Sequence, residues 1–285
     1  MNELIHDIID TKGAPILLVI FAVLFLLEGF LRLRVRKEKR IRRLFINTIF
    51  ALPGFIGLRL LLLPAMVSIA YKNQDWKIGI NYLYEMPWWI EGAIAFLLLD
   101  YTNYLWHILN HKVPLLWRFH LVHHTDVDLD VTTAIRFHLG EMIASVFYRG
   151  FAVFIVGASP LLVMIYEIVY EAATQFHHSN WKLPFRLEKI LNRLVVTPRM
   201  HGIHHSIVRK ETDSNYSVIF SFWDRLHGTV NLNIPQDEIV IGVPVYKNPQ
   251  ELTVGYLLKL PFTKIRPWKD ETPSRVQQKK DQMRP

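Results

Sequence analysis

Between His107 and His124 the chain places five of its thirteen histidines within eighteen residues. His107 and His111 stand four apart, and His120, His123 and His124 follow at spacings of three and one. On helices each set projects from roughly one face. Far downstream His201, His204 and His205 repeat the second set's spacing. Neutral imidazole is a borderline ligand that suits iron, zinc, copper or nickel, and crowded imidazoles stay neutral most easily with a metal between them. One ion takes about four to six ligands. Eight histidines in three helix-spaced sets therefore point to two metals, and His178 would make nine. His6 and His227 stand apart and read as surface or hydrogen-bonded residues.

The choice of metal follows from what is missing. There is no cysteine, which excludes disulfides, iron–sulfur ligation and thiolate zinc sites and leaves histidine and carboxylate as ligands. No His-Glu-x-x-His string of a zinc hydrolase occurs. Two irons held mostly by imidazole, with positions open for oxygen, fit the count best. No catalytic side chain beyond these ligands is singled out.

The elements that must position the histidines are helices beside a membrane. Mean hydropathy is +0.17 and hydrophobic residues make up 51% of 285, both high for a soluble chain. Ala14 to Leu31 is about one bilayer crossing and reads as an uncleaved anchor. Arg32 to Arg43 then holds eight Lys or Arg in twelve residues, which makes this loop cytoplasmic. The formal charge of +8 is thus assigned to a membrane face and not to nucleic acid. Leu44 to Tyr71 returns outward with kinks near Pro53, Gly54 and Pro64. The aromatic stretch Tyr71 to Trp89 suits an interface, and Ile90 to Trp106 crosses back, delivering His107 and His111 to the cytoplasmic boundary. Pro114 should start a new helix. Thr125 to Asp130 reads as a polar connector. Met142 to Tyr170, broken at Gly157 and Pro160, reads as a hairpin that returns to the same side. The rest forms a polar cap with an amphipathic helix over Pro184 to Leu194, a helix starting at Thr197-Pro198, and a frayed charged tail from Pro267.

With these residues in place the sequence resembles the fatty acid hydroxylase/sterol desaturase superfamily of membrane di-iron enzymes. Its three boxes are met by His107/His111, His120/His123/His124 and His201/His204/His205, in the family's order. Leu116-Trp-Arg-Phe-His120, Thr132-Thr-Ala-Ile-Arg136, Phe176-His-His-Ser-Asn180, Thr197-Pro-Arg-Met-His201, Asn215-Tyr216 and Trp223-Asp-Arg-Leu226 match accessory strings. The resemblance covers about residues 90 to 230. It implies a membrane monooxygenase or desaturase that uses two irons, O2 and electrons to oxidise a lipid. It also implies a metal-binding histidine ahead of the third box, met by His178 with His177 as rival. Asp100, seven residues before His107 and so on its helical face, could orient an imidazole N–H, as could Asp213, Asn215 and Asp224. Arg136, His138 and Glu141 resemble a family string, and His138 is assigned a salt-bridging or orienting role ahead of ligation. Three positions depart from the pattern: the family usually has Arg where Gly202 stands, Gly where Ser217 stands and Phe where His227 stands.

The expected fold is all-α and polytopic, about four transmembrane helices in two hairpins under a cytoplasmic helical cap that carries the boxes. Residues 1–89 would form an N-terminal anchor region, 90–230 the catalytic domain and 231–285 a cytoplasmic extension. The expected activity is hydroxylation of a fatty acyl or sterol-like C–H bond. With no His-Pro-Gly-Gly and no G-x-G-x-x-G string, electrons would come from a separate donor of cytochrome b5, ferredoxin or reductase type. Desaturation on the same site, a zinc lyase or hydrolase on this scaffold, and a non-enzymatic haem or metal carrier are the rival readings.

Overall fold

The computed structural model describes Glu3 and residues 12–268; His6 and nearly all of the charged tail fall outside that range. The described residues are helical, with isolated bridges and no strand among them. Helix α1 (Ala14–Phe30) is apolar all round and leaves Leu18, Val19, Leu26 and Phe30 exposed. Helix α2 (Arg40–Gly57) continues through a wide turn, Leu58–Leu62, into α3 (Leu63–Trp76). Pro64 has no N–H to donate back along the helix, and the ladder widens in the turn just before it. The expected kink thus takes the form of one widened turn, and Lys77 ends α3 in a left-handed conformation (φ 55°).

Helix α4 (Trp88–Lys112) carries the first box at its C-terminal end. Val113 is extended, as a residue before proline must be, and α5 (Pro114–His124) restarts on Pro114. Helices α6 (Leu139–Val156) and α7 (Pro160–His178) form the hairpin; Gly157 closes α6 at φ 75° and Ser159 caps α7. Among the described residues two helical runs are long and apolar enough to cross a membrane, Arg40–Tyr82 and Leu139–Val156, and α1 is a shorter apolar helix.

Beyond α7 come short helices α8 (Phe185–Leu191), α9 (Pro198–His204), α10 (Arg209–Thr212), α11 (Phe222–Leu226) and α12 (Val254–Lys259). Helix α8 stops short of the expected Leu194. The Asn192 carbonyl is taken by the Ser221 hydroxyl at 2.6 Å and the Arg225 guanidinium at 2.8 Å, which turns the chain aside.

Two apolar cores frame the boxes. One joins α3, α4, α6 and α7 through Met66, Val67, Leu99, Val153 and Met164; the other joins α2, α5 and the C-terminal segment through Phe50, Leu121, Val122, Val243 and Leu257. Leu121 and Val122 take the side of α5 away from its histidines, as a 100° step per residue requires.

The connector Thr125–Asp130 is polar in sequence yet buried. Asp126 receives both ends of the Arg43 guanidinium, Nε at 2.9 Å and a terminal nitrogen at 2.7 Å, while Asp130 pairs with the same arginine. Asp128 accepts from the backbone N–H groups of Lys37 and Glu38 at 3.0 and 2.8 Å. Burial pushes the Asp126 carboxyl up, but Arg43 and Arg136 outweigh it and hold the group below the carboxylate range. The basic loop therefore does more than mark a membrane side: it neutralises the segment that follows the second box.

Candidate metal centre

The histidines sort into two groups. Ring nitrogens of His107, His111, His120, His124 and His204 lie within 4.8 Å of one another, as do those of His123, His178, His201 and His205. These are the nine residues that the sequence singled out, but each triplet divides between the groups instead of presenting one face. Residues four apart lie about 40° apart around a helix, so His120 with His124, and His201 with His205, serve one group each. His123 and His204, a further 100° step from their neighbours His124 and His205, serve the opposite ones.

Backbone carbonyls orient four of the nine grouped rings and that of His177. His204 Nδ1 donates to the Ser214 carbonyl at 2.7 Å, His107 Nδ1 to Tyr216 at 2.8 Å and His177 Nδ1 to Val218 at 3.1 Å, so alternate carbonyls of one loop hold three imidazoles. Two carboxylates brace that loop. Asp224 accepts from the N–H groups of Tyr216 and Ser217 at 2.8 and 2.9 Å. Asp100 accepts from Ile219 at 3.3 Å, Phe220 at 3.1 Å and the Trp223 indole at 2.8 Å. Asn215, at φ 56°, ties the loop to α9 by donating to the Met200 carbonyl at 2.9 Å. Asp100, Asn215 and Asp224 thus act on the backbone that aims the imidazoles and not on the rings themselves.

On the other side His120 Nδ1 donates to Glu141 Oε1 at 2.9 Å, His178 Nδ1 to the Thr174 carbonyl one turn earlier at 2.8 Å, and His123 Nδ1 to the Arg136 carbonyl at 3.3 Å. Carbonyl and carboxylate oxygens only accept, so each of these rings keeps its proton on Nδ1 and turns a bare lone pair on Nε2 inward.

The lone pairs of His120 and His204 have no partner within the protein, whereas those of His123 and His178 meet other imidazoles. His123 and His178 bring their Nε2 atoms to 3.0 Å with no proton to share between them. The contacts His178–His201, His201–His205 and His205–His123 are 3.0, 3.1 and 3.2 Å, closing a ring of four nitrogens. Two ligands at right angles on an ion about 2.1 Å away lie about 3.0 Å apart, which is this spacing. In the group of five, Nε2 of His111, His120, His124 and His204 is buried without a hydrogen-bond partner. Such orphaned groups cost about 1–3 kcal/mol each, a penalty that a bound cation removes. Burial first, and neighbouring imidazoles second, hold His124 and His205 well below the usual histidine range; His123, His201 and His204 are likewise lowered, chiefly by burial. Neutral nitrogens are what a metal needs.

The remaining candidates lie at the edge. His177 is in neither group. His138 caps α6, accepting from Gly140 N at 3.0 Å, while its Nε2 meets the Leu258 carbonyl at 3.2 Å. Asp213 lies 3.8 Å from His111 Nδ1 and pairs with Lys112 and Arg209, each at 3.0 Å.

Sequence reasoning missed three residues. Glu141 was noticed only as part of a string, although a carboxylate in the first turn of the helix after the second box was the available signal. Glu28, near the C-terminal end of α1, is fully buried and accepts from Val131 N at 3.1 Å and Asn180 N at 2.9 Å. Arg34 bears on one departure from the family pattern: its guanidinium lies where a Cβ on Gly202 would go, so a side chain at 202 would have to displace it.

Comparison with known proteins bears on the same region. Residues 92–229 match the fatty acid hydroxylase family. Human alkylglycerol monooxygenase is 28% identical over 180 residues, which is 62% of this chain and 38% of that protein. Human cholesterol 25-hydroxylase is 29% identical over 136 residues, 47% of this chain and 48% of its own. An ornithine lipid hydroxylase of Rhizobium tropici is 30% identical over 169 residues, 58% of this chain and 47% of its own. The chain spans about half the length of these relatives or less. No solved structure matches it. The segment that matches the fatty acid hydroxylase family, residues 92–229, holds all nine grouped histidines.

Proposed function

We propose that this chain is an integral membrane oxygenase that uses two irons, O2 and electrons from a separate donor protein to hydroxylate a C–H bond of a fatty acyl or sterol-like lipid. One observation carries the reading: two buried groups of histidines turn their ring nitrogens toward one another, and in the group of five four Nε2 atoms have no hydrogen-bond partner. His107, His111, His120, His124 and His204 would hold one ion, and His123, His178, His201 and His205 the other. Bound iron would supply the redox chemistry that couples O2 to oxidation of an unactivated C–H bond. The protein supplies position and dryness. Glu141 and the Tyr216 and Ser214 carbonyls fix ring tilt and tautomer, and the walls Trp106, Phe137 and Tyr170 separate the histidines from bulk water.

A membrane setting agrees with this chemistry. Exposed apolar side chains cover α1, α2 and α6, including Leu18, Phe55, Phe147 and Phe151, as lipid contact would require. In our reading α1, the α2–α3 pair, α4 and the α6–α7 hairpin embed the protein, with residues 1–89 as anchor, 90–230 as catalytic region and 231–285 as extension. The basic loop and the histidines share the cytoplasmic side. The related proteins are named as monooxygenases and hydroxylases, which favours hydroxylation over desaturation.

The test is metal and product analysis of protein expressed with iron supplied. About two irons per chain, and lipid that gains one oxygen atom in the presence of O2 and reductant, are expected. Two zincs with turnover in the absence of O2, or a haem absorption band, would overturn the reading, as would full iron and activity in His120→Ala. Loss of two hydrogens without gain of oxygen would identify a desaturase.

A further inference from the structure

A polar stripe descends from the histidines into the apolar part of the molecule, and beyond Glu141 and the Thr174 carbonyl the metal site does not use it. On α7, Thr174, Glu171 and Glu167 stand four, seven and eleven residues before His178, so they share its face. On α6, Glu141, Ser145 and Arg149 repeat at intervals of four. Glu141, Ser145, Arg149, Glu171 and Thr174 line one cavity of about 180 Å³, whose remaining wall is largely apolar, with Phe50, Phe55 and Met142 in it. This cavity shares Trp106, Phe137 and Thr174 with the small cavity that the histidines line. At its other end it shares Phe55, Leu58, Ile135 and Glu171 with an almost wholly apolar groove of about 420 Å³ that includes Leu17, Leu18 and Phe21 of α1.

Three atoms in the middle cavity lack partners. Glu141 Oε2, Thr174 Oγ1 and Arg149 Nε are buried without a hydrogen bond, on side chains that are 4, 4 and 5% exposed. Arg149 does pair with Glu167, so its charge is met while its Nε still faces the cavity unmatched. Charged side chains at membrane depth are costly and need a counterpart. A carboxylate oxygen asks for a donor and a guanidinium N–H for an acceptor. A hydroxyl is the smallest group that answers both.

We infer that this cavity is a specificity station for lipids that carry a hydroxyl, the hydrocarbon remainder lying in the groove against α1. The inference rests on the proposed lipid-oxidising function and names its substrate class: a hydroxyl-bearing amphiphile oxidised near its polar group. The spacing sets the reach. Thr174 and Glu171 lie about 6 and about 10 Å along α7 from His178, so the carbon presented to the histidines is within about 10 Å of the hydroxyl.

Binding tests this without iron, O2 or turnover. Full-length protein in detergent is equilibrated with a radiolabelled long-chain primary alcohol and, separately, with its O-methyl ether, which keeps the chain and loses the donor. The alcohol should bind about tenfold tighter, the worth of roughly one buried hydrogen bond. Thr174→Val, which removes a hydroxyl that bonds nothing and so leaves folding intact, and Glu171→Gln should each reduce that preference, and the double variant should abolish it. Equal binding of alcohol and ether by the native protein, or an undiminished preference in both single variants, overturns the inference. Because this readout needs no chemistry, a clear alcohol preference in a protein that oxidises no lipid would support the station while removing the proposed function.

Discussion

The two histidine groups are built differently. The group of four draws on α5, α7 and α9, and its nitrogens already touch in a closed ring of 3.0–3.2 Å contacts. The group of five draws on α4, α5 and α9 and depends on outside supports, namely Glu141 and two carbonyls of the loop at 214–216. It also stands beside Asp213, which is partly exposed. One group is compact and has no spare ligand. The other has a spare ligand and, unlike the first, a carboxylate among its supports.

Substitutions should separate them. The largest effect is expected for His123→Ala, which leaves three nitrogens in the compact group: iron should fall from about two to about one per chain, with activity lost at least about 100-fold. His111→Ala leaves four donors in its group and should keep both irons at weaker affinity. Equal metal loss in the two variants would break the comparison.

Next comes Glu141→Gln, which takes the charge from the partner of His120 and should lower metal affinity or activity by about 10- to 100-fold, read as the easier-to-chelate of the two irons. Asp224→Ala strips the acceptor from two buried N–H groups and should destabilise the protein by about 2 kcal/mol or more in thermal unfolding. Its metal loss should begin in the group of five, since no ring of the other group leans on that loop.

Acidification has a sign that follows from burial. His123, His124, His201, His204 and His205 are held well below about 6.5, so below that pH the unfolded chain binds protons that the folded chain refuses. Metal-free protein should therefore lose stability as pH falls from about 6.5, by up to about 1.4 kcal/mol per pH unit for each such group, in denaturant melts at stepped pH. The smallest effect is expected for Lys112→Ala. Its pairing with Asp213 is exposed and worth less than about 1 kcal/mol, so unchanged iron content and melting temperature are expected.

How much of this could be read in advance depended on range. Pro114, Gly157, Pro160 and Pro198 act on their own backbone, and helix boundaries fall where they stand. Eight of the nine histidines were visible because the i, i+3 and i+4 spacings are local too, and His178 through the family resemblance of its string. Their partition was hidden, since it depends on how α5 and α9 face each other, and a 100° step between neighbours is ambiguous until a partner helix is in place. Asp100 shows the same limit from the other side. Helical spacing put it on the face of His107, yet it meets the backbone of Ile219 and Phe220 across about 120 positions of sequence. The polar stripe on α6 and α7 was missed because each of its residues is isolated within an apolar run, where period and composition both read as membrane.

The staple formed by Glu28, Arg34 and Asn180 has a consequence for biogenesis. Asn180 Nδ2 donates to the Arg34 carbonyl at 2.9 Å and Asn180 Oδ1 accepts from Arg34 N at 2.8 Å, while Glu28 reaches both Val131 and Asn180. Glu28 of α1 can pair early with Arg36 and Arg40, but its bonds to Val131 and Asn180 must wait for residues made more than a hundred positions later. Closure of the staple also seats Arg34 against Gly202, so the third box settles only once the whole domain has been made. Iron would then enter a finished protein, and a chain cut short before Asn180 would remain a membrane-inserted intermediate with two of its boxes and no closed group of four.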